Sequence, residues 1–193
     1  MLRNMLLYVI CNRSTHIRMN TRIVEVLALM LFSVCKNSLV WAQPQAFITT
    51  WRTDNPGPSC ISCITIPTIG NGYSYQVDWN NDGIYEETDI RGNSIHDFGK
   101  PGIYTIRIMG DFPQIYFNNP VWDPISSDAQ KLIDIVQWGN IVWYSFRNAF
   151  LGCVNLNPSA TDVPDLRNVS DMSYAFAFTA FNRNINNWNV RYI

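Results

Sequence analysis

Charge is scarce in this sequence. Of its 193 residues only 15% are Asp, Glu, Lys or Arg, against roughly 25% in an ordinary soluble domain. The formal net charge is -1, which excludes a strongly basic nucleic-acid binder, because phosphate contacts need clustered Lys and Arg. Disorder is excluded from the other side. It requires low hydrophobicity and high net charge, whereas this chain is 47% hydrophobic and 13% aromatic. His and Cys are few as well, two and five, so acyl-transfer, phosphoryl-transfer and metal chemistry are poorly supplied. There is no phosphate-cradling Gly loop and no metalloprotease helix motif. No Ser or Cys stands near His96 with an orienting acid in a recognisable order. No catalytic, cofactor-binding or metal residue is therefore assigned, and the chain is expected not to be an enzyme.

What charge there is falls unevenly. Residues 1–42 carry Arg3, Arg13, Arg18, Arg22 and Lys36 against one acid, Glu25, which leaves the remainder acidic. A basic leader before an acidic body is the pattern of a secretory signal. The apolar run Ile23–Val34 is twelve residues long and contains Glu25, short of the about 20 apolar residues that a membrane-crossing helix needs. Val40-Trp41-Ala42 places small residues where a signal peptidase reads, so cleavage is expected after Ala42. A signal anchor, extended by Leu39–Ala42, is the competing reading. Met19-Asn-Thr-Arg22 also makes a normal n-region, so Met19 is a candidate true start. The location expected is secreted or cell-surface, with the membrane met only during export.

The mature chain would keep Cys60, Cys63, Cys153 and His96. Cys60-Ile-Ser-Cys63 has a C-x-x-C spacing, which serves a redox motif, half a zinc site or a local disulfide. A redox motif should follow a strand and open a helix, but here Pro56-Gly-Pro58 precedes and Ile64-Thr-Ile66 follows. A structural zinc wants four ligands, and no second pair is in sight. A disulfide stapling a loop in an oxidising compartment is expected, with Cys153 unpaired and buried.

From Ala46 to about Pro113 the pattern is β. Ala46–Trp51 is β-branched and aromatic, Ile64–Ile66 is a second short run, and Tyr73–Trp79 alternates with Tyr73, Tyr75, Val77 and Trp79 on one face. Asn80-Asn-Asp-Gly83 and Lys100-Pro-Gly102 are turns, and Ile103–Met109 puts Tyr104, Ile106 and Ile108 on one face. Short strands separated by turns predict a small β-sandwich. Residues 46–110 resemble a polycystic-kidney-disease (PKD) type domain, on Tyr75-Gln-Val-Asp-Trp-Asn-Asn-Asp-Gly83 and on Ile95-His-Asp-Phe-Gly-Lys-Pro-Gly-Ile-Tyr-Thr-Ile106. The resemblance implies an Ig-like sandwich used as a spacer or recognition module, with His96 as a structural residue before a turn.

Asp78–Asp89 also carries oxygen ligands at positions 1, 3 and 5, Gly at 6 and a carboxylate at 12, the spacing of an EF-hand calcium loop. Asp89 stands where that loop has Glu, and strand signals flank it in place of helices. The same residues make an Asn- and Asp-rich hairpin turn, which is the reading preferred to calcium at Asp78–Asp89. No cofactor is required.

Beyond Pro113, Gln114–Asn119 is a last strand-like piece, and residues 114–130 form a connector. From Lys131 a repeat emerges. Ala149-Phe150 and Ala175-Phe176 are 26 residues apart, and Trp188-Asn-Val190 parallels Pro164-Asp-Leu166; that period suits leucine-rich repeats. A strand, a tight turn and a short helix per unit must stack to share a core, with Phe150, Cys153 and Leu156 inward and Ala149 allowing close packing. Residues 131–193 resemble the BspA-like leucine-rich repeat surface proteins of bacteria. The carriers are Gln137-Trp-Gly139, Asn148-Ala-Phe-Leu-Gly-Cys-Val-Asn-Leu156, Pro164-Asp-Leu-Arg-Asn-Val-Ser-Asp-Met172 and the Phe181–Val190 segment. The resemblance implies adhesion to host or neighbouring surfaces. No polar capping repeat is visible, so the apolar end of a truncated stack is expected to lie open.

The expected architecture is mainly β with short helices. A signal peptide (1–42) leads to a PKD-like sandwich (43–113), a connector (114–130) and an incomplete leucine-rich repeat solenoid (131–193). The expected function is recognition of extracellular proteins or glycans, not nucleic acid, through aromatic and Asn side chains on the repeat strands. The alternative is a non-catalytic accessory region of a secreted degradative enzyme.

Overall fold

The computed structural model describes residues 45–119, 122, 123 and 125–193. The leader expected at 1–42, with its cleavage site and the Met19 start, lies outside the described residues. Pro44–Ile193 forms one compact unit. It is mainly β, built on two antiparallel sheets.

The larger sheet has strands in the order β4 (Glu87–Ile90), β3 (Ser74–Asp78), β6 (Ile103–Asp111), β1 (Phe47–Arg52) and β7 (Leu132–Gln137). β1 lies beside the edge strand, antiparallel to the central strand β6 on one side and to β7 on the other. Phe47, Thr49 and Trp51 alternate onto one face and are fully buried, which is why β-branched and aromatic residues occupy this segment. Phe47 sits opposite Ile108 and Trp51 opposite Tyr104. β3 (Ser74–Asp78) pairs with β6 and with β4 (Glu87–Ile90). The expected period of two holds here, since Tyr73, Tyr75, Val77 and Trp79 are all buried together with Ile106 and Ile108. The smaller sheet joins β2 (Cys63–Ile66) to β5 (Ser94–Asp97). Ile64 and Ile66 from β2 enter the same continuous apolar core as the larger sheet.

The C-terminal part departs from the expected elements. Leu132–Gln137, read as the start of the first repeat, is the edge strand β7. The short helices are absent among the described residues, where the one helical element is a 3₁₀ turn at Asp128–Lys131. Gln114–Asn119 is irregular, and its backbone reaches across to other segments: Tyr116 donates to the Pro67 carbonyl, Phe117 to Ala149 and Asn118 to Asn148.

Between the next two segments the register is regular. The N–H groups of Phe146, Asn148, Phe150 and Gly152 donate to the carbonyls of Asp171, Ser173, Ala175 and Ala177, each at 2.9–3.0 Å and each 25 residues further on. Within each segment tight turns replace a helix. Ala149 donates to Phe146 and Ala175 to Met172, both at 3.0 Å; Leu151 donates to Asn148 and Ala177 to Tyr174. Left-handed backbone recurs with the same spacing, at Asn148 (φ 51°) and Tyr174 (φ 57°), then at Gly152 (φ 79°) and Phe178 (φ 56°). The 26-residue period is thus a repeat of backbone conformation. Alternation into the left-handed region is what prevents a helix from propagating.

Gly152 and Phe178 occupy equivalent places with different freedom. A Cβ on Gly152 would strike the backbone oxygen and side chain of Asn119, whereas Phe178 is 58% exposed. Gly152→Ala is expected to cost about 2–4 kcal/mol, from a disfavoured φ and overpacking together, measured by denaturant unfolding. An unchanged midpoint would show that Asn119 yields.

Candidate recognition surface

The repeat segments expose a polar edge. Val142 and Asp165 meet in a single isolated parallel bridge, and the turn before Val142 is tied down by the Asp162 carboxylate, which accepts the N–H groups of Trp138 and Gly139 at 2.9–3.1 Å. Side-chain turns recur along the chain: Asp165 accepts the Arg167 N–H and Asn189 accepts the Arg191 N–H, 24 residues later. Such Asx turns supply acceptors where a helix would otherwise start, and they leave the neighbouring amides facing outward.

Two depressions run along this face. One, of about 470 Å³, is lined by Asn140, Val142, Asp165, Arg167, Asn187 and Asn189 among others. The second, of about 880 Å³, includes Gln45, Asn71, Asp111 and Tyr144, and again Asn140 and Val142. Sharing Asn140 and Val142 makes them one strip. Tyr144 is 59% exposed on it. Two of the charges on the strip pair with each other, for Arg167 grips Asp165 with Nε at 2.9 and 3.1 Å and Nη2 at 2.6 Å. That bidentate contact holds the Asp165 carboxyl below the usual carboxylate range, so the pair stays ionised at neutral pH. Amide donors and acceptors beside an aromatic ring suit neutral polar ligands, namely sugar hydroxyls or peptide groups.

No protein-family model, curated protein or solved structure matches this chain.

The other residues singled out from the sequence lie apart from the strip. Cys60 and Cys63 are joined by a disulfide. Their sulfurs lie close to the Asp97 carboxylate, but bonded to each other they offer no thiolate to a metal. Cys153 is free and buried, and burial drives its thiol well above the usual value. Phe150, Leu156 and Ala149 are buried beside it.

In the Asp78–Asp89 loop, Asp78 and Asp82 come together with Glu86, each offering an oxygen within 4.8 Å of the others. Asp89 is not part of this group. The oxygens are already engaged as turn acceptors: Asp78 takes the N–H groups of Asn80, Asp82 and Gly83, and Glu86 takes that of Trp79. The donor set a hard cation would take is present, with Glu86 where the spacing pointed to Asp89.

His96, on β5, stacks on Trp79 at 4.4 Å and meets the edge of Phe98 at 4.6 Å. Burial lowers its pKa below 6.5, against the opposing pull of Glu87, Asp97 and Glu86. The folded chain therefore binds fewer protons than the unfolded one as pH falls through 6.5. His96's contribution is complete above that pH and is lost as pH drops towards the folded value. The unfolding midpoint is expected to fall between pH 7 and 5, and His96→Phe to flatten that slope. Asp97, Asp165 and Asp171 are lowered from 3.8, so their losses come at more acid pH. An equal slope in wild type and variant would count against the stacking account.

Sequence reasoning missed Tyr144, Asn71 and Asp111 as neighbours of the repeat face. The Asn140 N–H donating to the Gln45 carbonyl at 2.8 Å and the Tyr144 N–H donating to the Pro113 carbonyl at 2.9 Å bring the sheet's loops beside it. The one advance signal was the excess of Asn and aromatic residues in the repeats. Among the described residues, no helix is long and apolar enough to cross a membrane.

Proposed function

We propose that this chain is an exported cell-surface recognition protein, in which an Ig-like, PKD-type sandwich carries leucine-rich-type coils and the polar strip binds extracellular proteins or glycans. The observation that supports this reading is the continuous strip from Asn71 and Tyr144 through Asn140 to Asp165 and Asn189, in which amides and a tyrosine stand among apolar side chains such as Val142 and Leu166. Buried cores seldom need such residues, and a ring flanked by amides is a common way to hold sugars or peptides. The scarcity of nucleophiles and general bases fits a binding role better than a catalytic one.

The test is a binding screen of the chain against immobilised glycans and extracellular matrix proteins. Tyr144→Ala and Asn140→Ala should each weaken the best ligand by about tenfold, ~1.4 kcal/mol. Ile95→Thr, on the other sheet and 63% exposed, should leave affinity unchanged. A ligand indifferent to Tyr144 and Asn140 would place recognition elsewhere.

A further inference from the structure

The disulfide is not all that holds the Cys60–Cys63 loop in shape. The Cys63 N–H donates to the Cys60 carbonyl at 2.9 Å, and the Phe98 N–H, just after β5, donates to the Ser62 carbonyl at 3.0 Å. The Ser59 hydroxyl donates to the Cys63 carbonyl at 3.1 Å, and the Lys131 ammonium donates to the carbonyls of Cys60 and Cys63. Cys63 also opens β2, directly opposite Asp97 of β5. Residues opposite each other in an antiparallel pair put their side chains on one face. Opening the S–S bond therefore frees the two sulfurs from each other without freeing their backbone.

A carboxylate stands beside those sulfurs. One oxygen of Asp97 and the two Sγ atoms all lie within 4.8 Å of one another. Asp97 is held in place, because its Oδ1 accepts the Ser62 hydroxyl at 2.6 Å and the Gly99 N–H at 2.8 Å. Both bonds fall on Oδ1, and Oδ2 has no donor among the described residues. Cys60 and Asp97 are exposed while Cys63 is buried, so solvent reaches the group from one side. Zinc–sulfur bonds of about 2.3 Å in a tetrahedral site place the ligand atoms about 3.8 Å apart. The Cα atoms of Cys60 and Cys63 are 4.8 Å apart. Parting the sulfurs to that distance thus needs rotation about side-chain bonds and no movement of the backbone.

We propose that Cys60, Cys63 and Asp97 form a redox-gated site for a soft divalent cation of the zinc type, closed while the disulfide is intact and opened by a dithiol reductant. The reductant supplies two electrons and two protons: its own thiols close to a disulfide, the Cys60–Cys63 bond breaks, and two thiols form. The cation then takes both sulfurs as thiolates together with an oxygen of Asp97, and the two thiol protons pass to solvent. Thiolate donors select zinc-type ions over calcium and magnesium. Three protein ligands leave the fourth position to water or to an outside ligand. His96, next to Asp97 in β5, is stacked on Trp79 and is not a ligand. Cation and S–S bond compete for the same two sulfurs, so binding holds the pair reduced. The proposal is independent of the polar strip, which lies on other residues.

The probe is cobalt(II), added to the full chain after reduction by a dithiol and removal of that dithiol without air. The reduced chain should show thiolate-to-cobalt charge-transfer absorption, and zinc should displace the cobalt. The oxidised chain and the reduced Cys60→Ser variant should lack that absorption, which separates this pair from Cys11, Cys35 and Cys153. Asp97→Asn keeps an oxygen acceptor for Ser62 and Gly99 and should melt as wild type does. It should nonetheless weaken zinc at least about tenfold, since even the outer partners of metal ligands are worth that much. Zinc should also slow the reclosing of the disulfide by oxidised glutathione. A reduced chain without the charge-transfer absorption overturns the proposal. So does an oxidised chain that binds equally well, or an Asp97→Asn variant that binds zinc as tightly as wild type.

Discussion

Replacing Trp138 with alanine should unfold the sheets and the repeat segments together, in one transition destabilised by about 3–5 kcal/mol. Trp138 is buried where β7 ends, and its ring lies 5.8 Å from Phe47 of β1, 5.9 Å from both Phe146 and Phe150, and 5.5 Å from Trp188. Three parts of the chain, about 140 residues apart at the extremes, thus share one side chain. Removing it opens a cavity that none of the three can refill alone, because all three pack on the same ring. A native domain is stable by only about 5–15 kcal/mol, so the loss is large. Circular dichroism and tryptophan fluorescence followed in the same denaturant series should give coincident curves with a lowered midpoint. A variant whose sheet persists while its repeats melt would show that the core is divisible at Trp138.

Lys131→Met is the second large effect expected, again about 3–5 kcal/mol. Lys131 is 1% exposed, and its ammonium donates to the Ser59 hydroxyl at 2.7 Å and to the carbonyls of Cys60 at 2.8 Å, Cys63 at 3.0 Å and Ser59 at 3.3 Å. Asp128, equally buried, lies 3.8 Å away and accepts the N–H groups of Ser59 and Thr65. Burial pulls the Lys131 pKa down, with Asp128 opposing it. The pair ties the disulfide loop to the 3₁₀ turn that leads into β7. Taking the cation away leaves a buried carboxylate without its counter-charge and several carbonyls without a donor. Adding Asp128→Asn to Lys131→Met should recover part of the loss, because the amide keeps an acceptor and removes the orphaned charge. If the double variant is less stable than the single one, the damage comes from lost packing and not from the uncompensated carboxylate.

The strands that could be read in advance were those with one wet and one dry face. Tyr73–Trp79 and Ile103–Met109 alternate, and the two-residue period reappears in the burial of Tyr73, Tyr75, Val77, Ile106 and Ile108, although Asp78 is buried too and Tyr104 only partly. β4 and β5 escaped notice because Glu87-Thr-Asp-Ile90 and Ser94-Ile-His-Asp97 sit at sheet edges. Each buries few side chains, so no alternation is written into them. β7 was misread for a different reason. Leu132–Gln137 is an apolar run whose partner, β1, lies more than eighty residues earlier, and no local pattern carries that pairing. The candidate site divides in the same way. Asn and aromatic residues in the repeats were visible as composition; their meeting with Asn71 and Asp111 was not.

By itself the chain's order of residues determined its β-rich character, the disulfide between Cys60 and Cys63, the buried Cys153 and the 26-residue recurrence, because each depends on spacing within a short stretch. Only the tertiary structure decided that tight turns would stand in for the short helices and that Lys131 would be buried under the disulfide loop. Those outcomes depend on which backbone atoms meet across long separations, and the free energy that selects them belongs to the assembled core, not to any local segment.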